Sequence, residues 1–210
     1  MSLKFNPQTH EYHLDEMKIP GVSEIIKVMG IVSYDNIPVE ILENKRYQGE
    51  RVHQATHLID LNAFNGCDLE DDIASYVQAY IDFKKEYNPE ILSLEEPIYY
   101  SKGSVCYAGT RDRKYKIGSE TWCLDIKTST PKRWHRLQTA AYWNCDITDK
   151  RGCLYLNKDG TYKLTEHEEK EDLAIWGGLV RAFWWIKPRY GWSNGNNKNS
   201  RTDKLQDQSA

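Results

Sequence analysis

Apolar residues recur along this chain with two different periods. Across residues 38 to 63, Ile41, Leu42, Val52, Ala55, Thr56 and Ile59 approximate a 3.6-residue stripe, which predicts a helix. A second helix is predicted from about Leu69 to Tyr87, with Ile73, Tyr76, Val77, Tyr80 and Ile81 on one face and Pro89 ending the region. Three strand-like runs follow, near Ile91 to Tyr100, Val105 to Arg113 and Thr121 to Thr128. A helix from about Lys132 to Cys145 comes after Pro131, a residue that suits a first helical turn. Short strands near Cys153 to Asn157 and Tyr162 to Thr165 flank "KDG", a hairpin signal. The last predicted helix runs from Glu166 to Ile186 and carries Trp176, Phe183 and Trp184 on one face.

The N-terminal stretch reads as a short strand, a turn at Asn6-Pro7 and a strand near Tyr12 to Leu14. Pro20-Gly21 then breaks the chain, and Ser23 is placed to cap a short helix ending near Gly30. This order of elements predicts a mixed sheet with helices on both faces, α/β or α+β in class. One domain is expected over residues 1–192, with a polar, disordered tail at 193–210.

Composition narrows the class. The chain has 210 residues and no run of 18 apolar ones, so neither a transmembrane helix nor a membrane partner is expected. The start "MSLKFNPQTH" has no apolar h-region, which predicts a cytoplasmic protein. Cys67, Cys106, Cys123, Cys145 and Cys153 form no C-x-x-C pair, so neither a zinc ribbon nor a disulfide framework is signalled. Reduced thiols fit that compartment.

The formal net charge of −3 speaks weakly against a nucleic-acid partner, but its distribution is uneven. Acids dominate from Cys67 to Glu96. From Arg111 to Arg136 the sign reverses, with Arg111, Arg113, Lys114, Lys116, Lys127, Lys132, Arg133 and Arg136 outnumbering Asp112, Glu120 and Asp125. A local positive field attracts polyanions. The alternative is a solvated charged surface.

Candidate chemistry lies within that segment. Gly118-Ser119 suits a two-residue hairpin turn, which pairs Ile117 with Glu120 and, counting outward, Asp112 with Asp125. Lys127 lies two residues beyond Asp125 and shares its face. Two opposed carboxylates repel unless a cation offsets them. Hard oxygen ligands of this kind suit Mg2+ or Mn2+, with Lys127 positioned to orient or deprotonate a metal-bound water. The alternative is a surface hairpin with cross-strand ion pairs. Gln138 and Tyr142, at i and i+4, share a face of the next helix. They can hold a phosphate, a base or Lys127, or else be a surface amide and a core phenol. Upstream, Gly49 and His53 share a helix face, and Gly49, which costs a helix roughly 1 kcal/mol against alanine, suits close approach of another backbone. His53 and His57 are also at i, i+4, but no H-E-x-x-H is present and a zincin is not indicated.

The segments "GERVH", "YAGTRDR", "CLDIKTS" and "QTAAY" together resemble, in order and spacing, the PD-(D/E)XK nuclease superfamily, in its RecB-like and phage exonuclease branch. The opening "FNPQTHEYHLDEMKIPGVSEIIKVMG" is similar to the N-terminal stretch of phage-type members, so the likeness runs from about Lys4 to Tyr142. It implies a restriction-endonuclease-like core and Mg2+- or Mn2+-dependent hydrolysis of DNA phosphodiesters. Asp112 and Asp125 would be metal-binding carboxylates and Lys127 the catalytic lysine. His53 and the carbonyl of Ile126 would complete the metal site. Gln138 and Tyr142 would match a QxxxY motif near the DNA. Glu96 lies where relatives often carry an acid. The cysteines lack the grouping that holds an iron–sulfur cluster in some relatives, so none is expected.

The activity so implied is a DNA exonuclease of phage or prophage type, acting in recombination or end processing on linear duplex or single strands. Arg111, Arg113, Lys132, Arg133 and Arg136 would grip backbone phosphates. A single-strand annealing or binding protein and further copies of the chain are candidate partners. An endonuclease of the same fold and a non-catalytic nucleic-acid-binding module are the competing possibilities.

Overall fold

The computed structural model describes residues 1–66, 69–103 and 105–187. Three short strands open the chain, β1 (Leu3–Asn6), β2 (Glu11–Leu14) and β3 (Met17–Ile19), as one antiparallel sheet in that order. The third was not predicted, because three residues are too few to display alternation. A tight turn at Asp15-Glu16, with Asp15 at φ 52°, makes it by pairing Leu14 with Met17. Helix α1 (Val22–Val28) starts one residue after Gly21, which stands at its N-cap. The predicted Ser23 cap is therefore corrected: Ser23 lies inside the first turn.

Two long helices follow, α2 (Val39–Asp60) and α3 (Asp71–Tyr87). Helix α3 ends where Asn88 turns left-handed at φ 41°. Then come β4 (Glu90–Lys102), β5 (Val105–Ile117) and β6 (Glu120–Lys127), helix α4 (Arg133–Cys145), strands β7 (Lys150–Leu156) and β8 (Tyr162–Glu166), and helix α5 (Glu171–Ile186). Pro131 stands outside α4, whose N-cap is Lys132. Helix α5 begins five residues later than expected because β8 runs on through Glu166.

The five strands form one mixed sheet in the order β4-β5-β6-β7-β8. Only β6 and β7 run parallel, and α4 is the crossover such a pair requires. Gly152 in β7 is obligatory, since a Cβ there would lie 2.2 Å from the Thr165 carbonyl oxygen. Side chains alternate between two faces. Tyr115, Trp122, Leu124 and Ile126 pack against α2 and α3 through Val52, Tyr80 and Phe83. Tyr107, Cys123 and Ile98 pack against α1, α4 and α5 through Ile25, Leu137, Tyr142 and Trp176. Each large apolar side chain buried this way contributes roughly 1.5–3 kcal/mol. The expected mixed sheet with helices on both faces is thus present.

Among the described residues, no helix is long and apolar enough to cross a membrane. Cys106, Cys123, Cys145 and Cys153 form no disulfide with one another. The predicted tail at 193–210, the boundary at 192 and Cys67 lie outside the described residues.

Candidate active site

The β5–β6 hairpin turns at Gly118, which takes φ 63°, and its register runs from Ile117 opposite Glu120 to Arg113 opposite Leu124. The predicted register therefore holds, but the ladder ends one step short of Asp112 and Asp125. Asp112 is not a direct ladder partner of Asp125. Instead its Oδ2 accepts a hydrogen bond from the Ile126 backbone N–H at 2.7 Å. Opposed carboxylates in a closed ladder repel; here the strands part and a side-chain oxygen stands where a strand carbonyl would.

Helix α2 approaches from the other face and brings His53 to the same peptide. The imidazole Nε2 donates to the Ile126 carbonyl at 3.1 Å, and Nδ1 lies 3.6 Å from Asp112 Oδ2. The two backbone groups of Ile126 are thus held by His53 and Asp112. Two residues apart on β6, Asp125 and Lys127 project together as predicted, with Lys127 Nζ 2.5 Å from Asp125 Oδ2. From α4, the Gln138 amide nitrogen donates to the Tyr142 hydroxyl at 3.0 Å. Both side chains are buried, so Gln138 is not a surface amide. Its Oε1 is buried without any hydrogen-bond donor. All these side chains line one cleft of about 640 Å³.

Burial pushes the Asp125 carboxyl up to about 6, against the pull of the Lys127 ammonium and with the push of Asp112. Burial would lower Lys127, but Asp125 and Asp112 outweigh it and hold the amine up to about 12. The two neighbouring carboxylates thus favour the ammonium form of Lys127. Burial, then Asp125 and Asp112, hold the Tyr142 phenol well above its usual value. Gly109 is what admits the Tyr142 ring: a Cβ there would lie 2.5 Å from Cε1. Gly49 has no such duty, since a Cβ would meet only Thr128 Oγ1 at an ordinary 3.7 Å.

The predicted phosphate grips divide. Arg111 is fully buried and bonds Asp146 at 2.8 Å and Glu96 at 2.5 Å, which also accounts for Glu96. Arg113 is fully buried and bonds Asp60 at 2.7 Å. Arg136 is tied to Asp172 at 2.8 Å and Glu169 at 3.0 Å. Arg111 and Arg113 are therefore corrected from phosphate contacts to internal ion pairs, because a buried charge needs its counter-charge inside the fold, whereas Arg136 is half-buried. Lys132 and Arg133 are exposed at the start of α4.

Other residues at the cleft escaped the sequence reading. Lys45 and Arg46 line its wall from α2, two helical turns before His53. Their spacing to Gly49 and His53 was the available signal. Glu95 also lines the cleft and takes φ 44° inside β4, between the pairs Leu94–Arg113 and Glu96–Arg111. It thus stands level with Asp112, and its Oε1 is 3.5 Å from His57 Nδ1. No sequence pattern announces a left-handed glutamate.

Behind the cleft lies a buried polar hub. Asp60 Oδ2 accepts from Tyr80 at 2.6 Å, Arg113 at 2.7 Å and Tyr115 at 2.7 Å, while Oδ1 accepts from Lys84 at 2.8 Å. Burial alone would raise the Asp60 carboxyl, but Lys84, Tyr80, Tyr115 and Arg113 together hold it below the usual carboxylate value.

Among the described residues, no three His, Cys, Asp or Glu side chains are already gathered as ligands around one point. Asp125 faces Lys127, and His53 Nε2 faces a carbonyl. No protein-family model and no curated protein matches the chain. Solved structures similar to it include one titled "Crystal structure of SSO0001", 20% identical in sequence with a TM-score of 0.41. The match covers 56% of this chain and 61% of that one, so it spans about three fifths of that chain's length.

Proposed function

We propose that this chain is a metal-dependent deoxyribonuclease with a restriction-endonuclease-like core, hydrolysing phosphodiester bonds as an exonuclease. One observation carries the reading: two carboxylates and one ammonium, Asp112, Asp125 and Lys127, share a cleft where the β5–β6 ladder opens, with His53 against the same peptide. The four-motif resemblance to PD-(D/E)XK nucleases supports it.

The donors fit a hard divalent cation. His53, Asp112, Asp125 and the Ile126 carbonyl would hold it, and they combine one imidazole with oxygen ligands. The orphaned Gln138 Oε1 is a buried acceptor suited to a bound water. When bound, Mg2+ or Mn2+ supplies Lewis-acid charge stabilisation and a more acidic water. The chain's own groups do the rest. Lys127, as an ammonium, donates toward a phosphoryl oxygen and stabilises the charge that grows there. Gln138 and Tyr142 orient what enters from the α4 side. Lys45, Arg46, Lys132 and Arg133 supply positive charge for backbone phosphates without reading sequence.

The test is incubation of linear DNA with Mg2+ or Mn2+. Shortened strands or nucleotides are expected, and Asp125→Ala or Lys127→Ala should abolish them with the circular dichroism spectrum unchanged. Full activity in either variant sinks the assignment. Closed circular DNA separates the modes, since an exonuclease cannot start on it. Binding without cleavage under both metals would mark a non-catalytic module.

A further inference from the structure

Arg113 has no access to solvent, yet it touches the residues behind the cleft in a specific pattern. Its Nη1 donates to the Asp112 backbone carbonyl at 2.8 Å. Its Nη2 donates to Thr56 Oγ1 at 3.1 Å. The Thr56 hydroxyl in turn donates to the His53 backbone carbonyl at 2.9 Å. One planar guanidinium therefore reaches the backbone of Asp112 directly and that of His53 through one hydroxyl. Its Nε is held by Asp60, one helical turn beyond Thr56 on α2. The guanidinium fork is rigid, so these bonds fix a spacing as well as a charge balance.

We propose that Thr56 and Arg113 are positioning residues that set the distance between His53 and Asp112, and so the affinity of the cleft for a divalent cation. The inference rests on the metal-dependent reading above. His53 stands on a helix and Asp112 on a strand, and their side chains meet at 3.6 Å. The Thr56–Arg113 relay is what joins their backbones. Helix α2 carries the hydroxyl-to-carbonyl bond within one turn, a pattern that tilts the carbonyl and bends the helix locally. Arg113 then anchors that turn to β5. Thr56 is fully buried and does not line the cleft.

The decisive comparison is Thr56→Val against Thr56→Ser. Valine keeps the shape and removes the hydroxyl; serine keeps the hydroxyl. Mn2+ affinity is measured by titration calorimetry on the full chain, and the His53 imidazole resonances are recorded without metal. Supporting groups of this kind alter metal affinity roughly 10–100-fold. Thr56→Val should weaken Mn2+ binding by about tenfold or more and shift the His53 resonances. Thr56→Ser should restore both. If Thr56→Val fails to fold, Thr56→Ala removes the same hydroxyl and leaves room for water. Wild-type Mn2+ affinity with unshifted His53 resonances in the hydroxyl-free variant overturns the proposal. If the wild-type chain binds no Mn2+, the metal-dependent reading fails, and the imidazole resonances alone decide whether Thr56 positions His53.

Discussion

Two charged clusters sit back to back on β5, and they are built on opposite rules. Arg113 projects to the α2–α3 face and joins Asp60, Tyr80, Tyr115 and Lys84. Its neighbour Asp112 joins Asp125, Lys127 and His53 at the cleft. The hub is closed: each oxygen of Asp60 accepts from a named donor. The cleft is open: two acids share one ammonium, and Gln138 Oε1 has no donor. The carboxyls record the difference with opposite signs, Asp60 lowered and Asp125 raised to about 6. A closed network is what a fold needs from buried charge; an uneven one is what a ligand can complete.

The largest effect should come from opening the hub. Asp60→Asn leaves Arg113 and Lys84 buried without their counter-charge. Such a loss costs about 3–5 kcal/mol. At roughly 2–4 °C per kcal/mol for a chain of this size, Tm should fall by about 10 °C. Thermal melting followed by circular dichroism checks this. A melt within about 2 °C of wild type, on the same scale, would remove the distinction between hub and cleft.

The same change at the cleft should do the reverse. Asp125→Asn is expected to remove cleavage by about 10³-fold, or ~4 kcal/mol of barrier, with Tm at pH 7 equal to or above wild type. The sign follows from linkage. The raised Asp125 contributes stability fully present below its ordinary 3.8 and lost as pH rises through about 6. Wild type should therefore gain on the Asn variant as pH falls from 7 to below 4. Asp60 behaves oppositely: its contribution is present above the ordinary carboxylate value and is lost as pH falls through its lowered one. Melts of both variants from about pH 2 to 7.5 would show trends of opposite sign, the Asp125 one between about pH 4 and 6 and the Asp60 one below about pH 4, and parallel trends would break the comparison.

What the sequence disclosed depended on whether local period could express it. Alternation along "CLDIK" and the Gly118-Ser119 turn were enough to place Asp112, Asp125 and Lys127 together, and the i, i+4 spacing was enough for Gln138 and Tyr142. Helix periodicity found α2 and α3 to within a few residues. The basic segment misled, because a count of charges does not say which are buried. Arg111 and Arg113 occupy alternate positions of a central strand, where their pairing with Glu96, Asp146 and Asp60 spans 15 to 53 residues of sequence. Glu95 and β3 were missed for a related reason: a single left-handed residue and a three-residue strand have no period.

A mid-sized effect tests the wall of the cleft. Gly109→Ala places a methyl where the Tyr142 ring and Val22 stand, at 2.5 and 3.1 Å. Overpacking of this kind costs about 1–3 kcal/mol. The ring must move, and Gln138 with it, so cleavage should fall further than stability predicts. Combining Gly109→Ala with Tyr142→Leu should restore the melt and leave activity low. If the double variant regains activity, Tyr142 is packing alone.

The smallest effect separates exposed from buried cations. Lys132→Ala with Arg133→Ala should leave Tm unchanged. It should weaken DNA binding several-fold, measured by fluorescence anisotropy in an Asp125→Asn background to prevent cleavage. The slope of log affinity against log salt should become shallower by about 0.9 for each duplex phosphate that the chain no longer neutralises. Arg111→Ala should do the opposite, lowering Tm because Glu96 and Asp146 lose the guanidinium, while Asp146 keeps Lys114, with the salt slope unchanged. A salt slope that responds to Arg111 and ignores Lys132 and Arg133 would place the phosphate track on the buried side of β5, and the division between closed hub and open cleft would have to be redrawn.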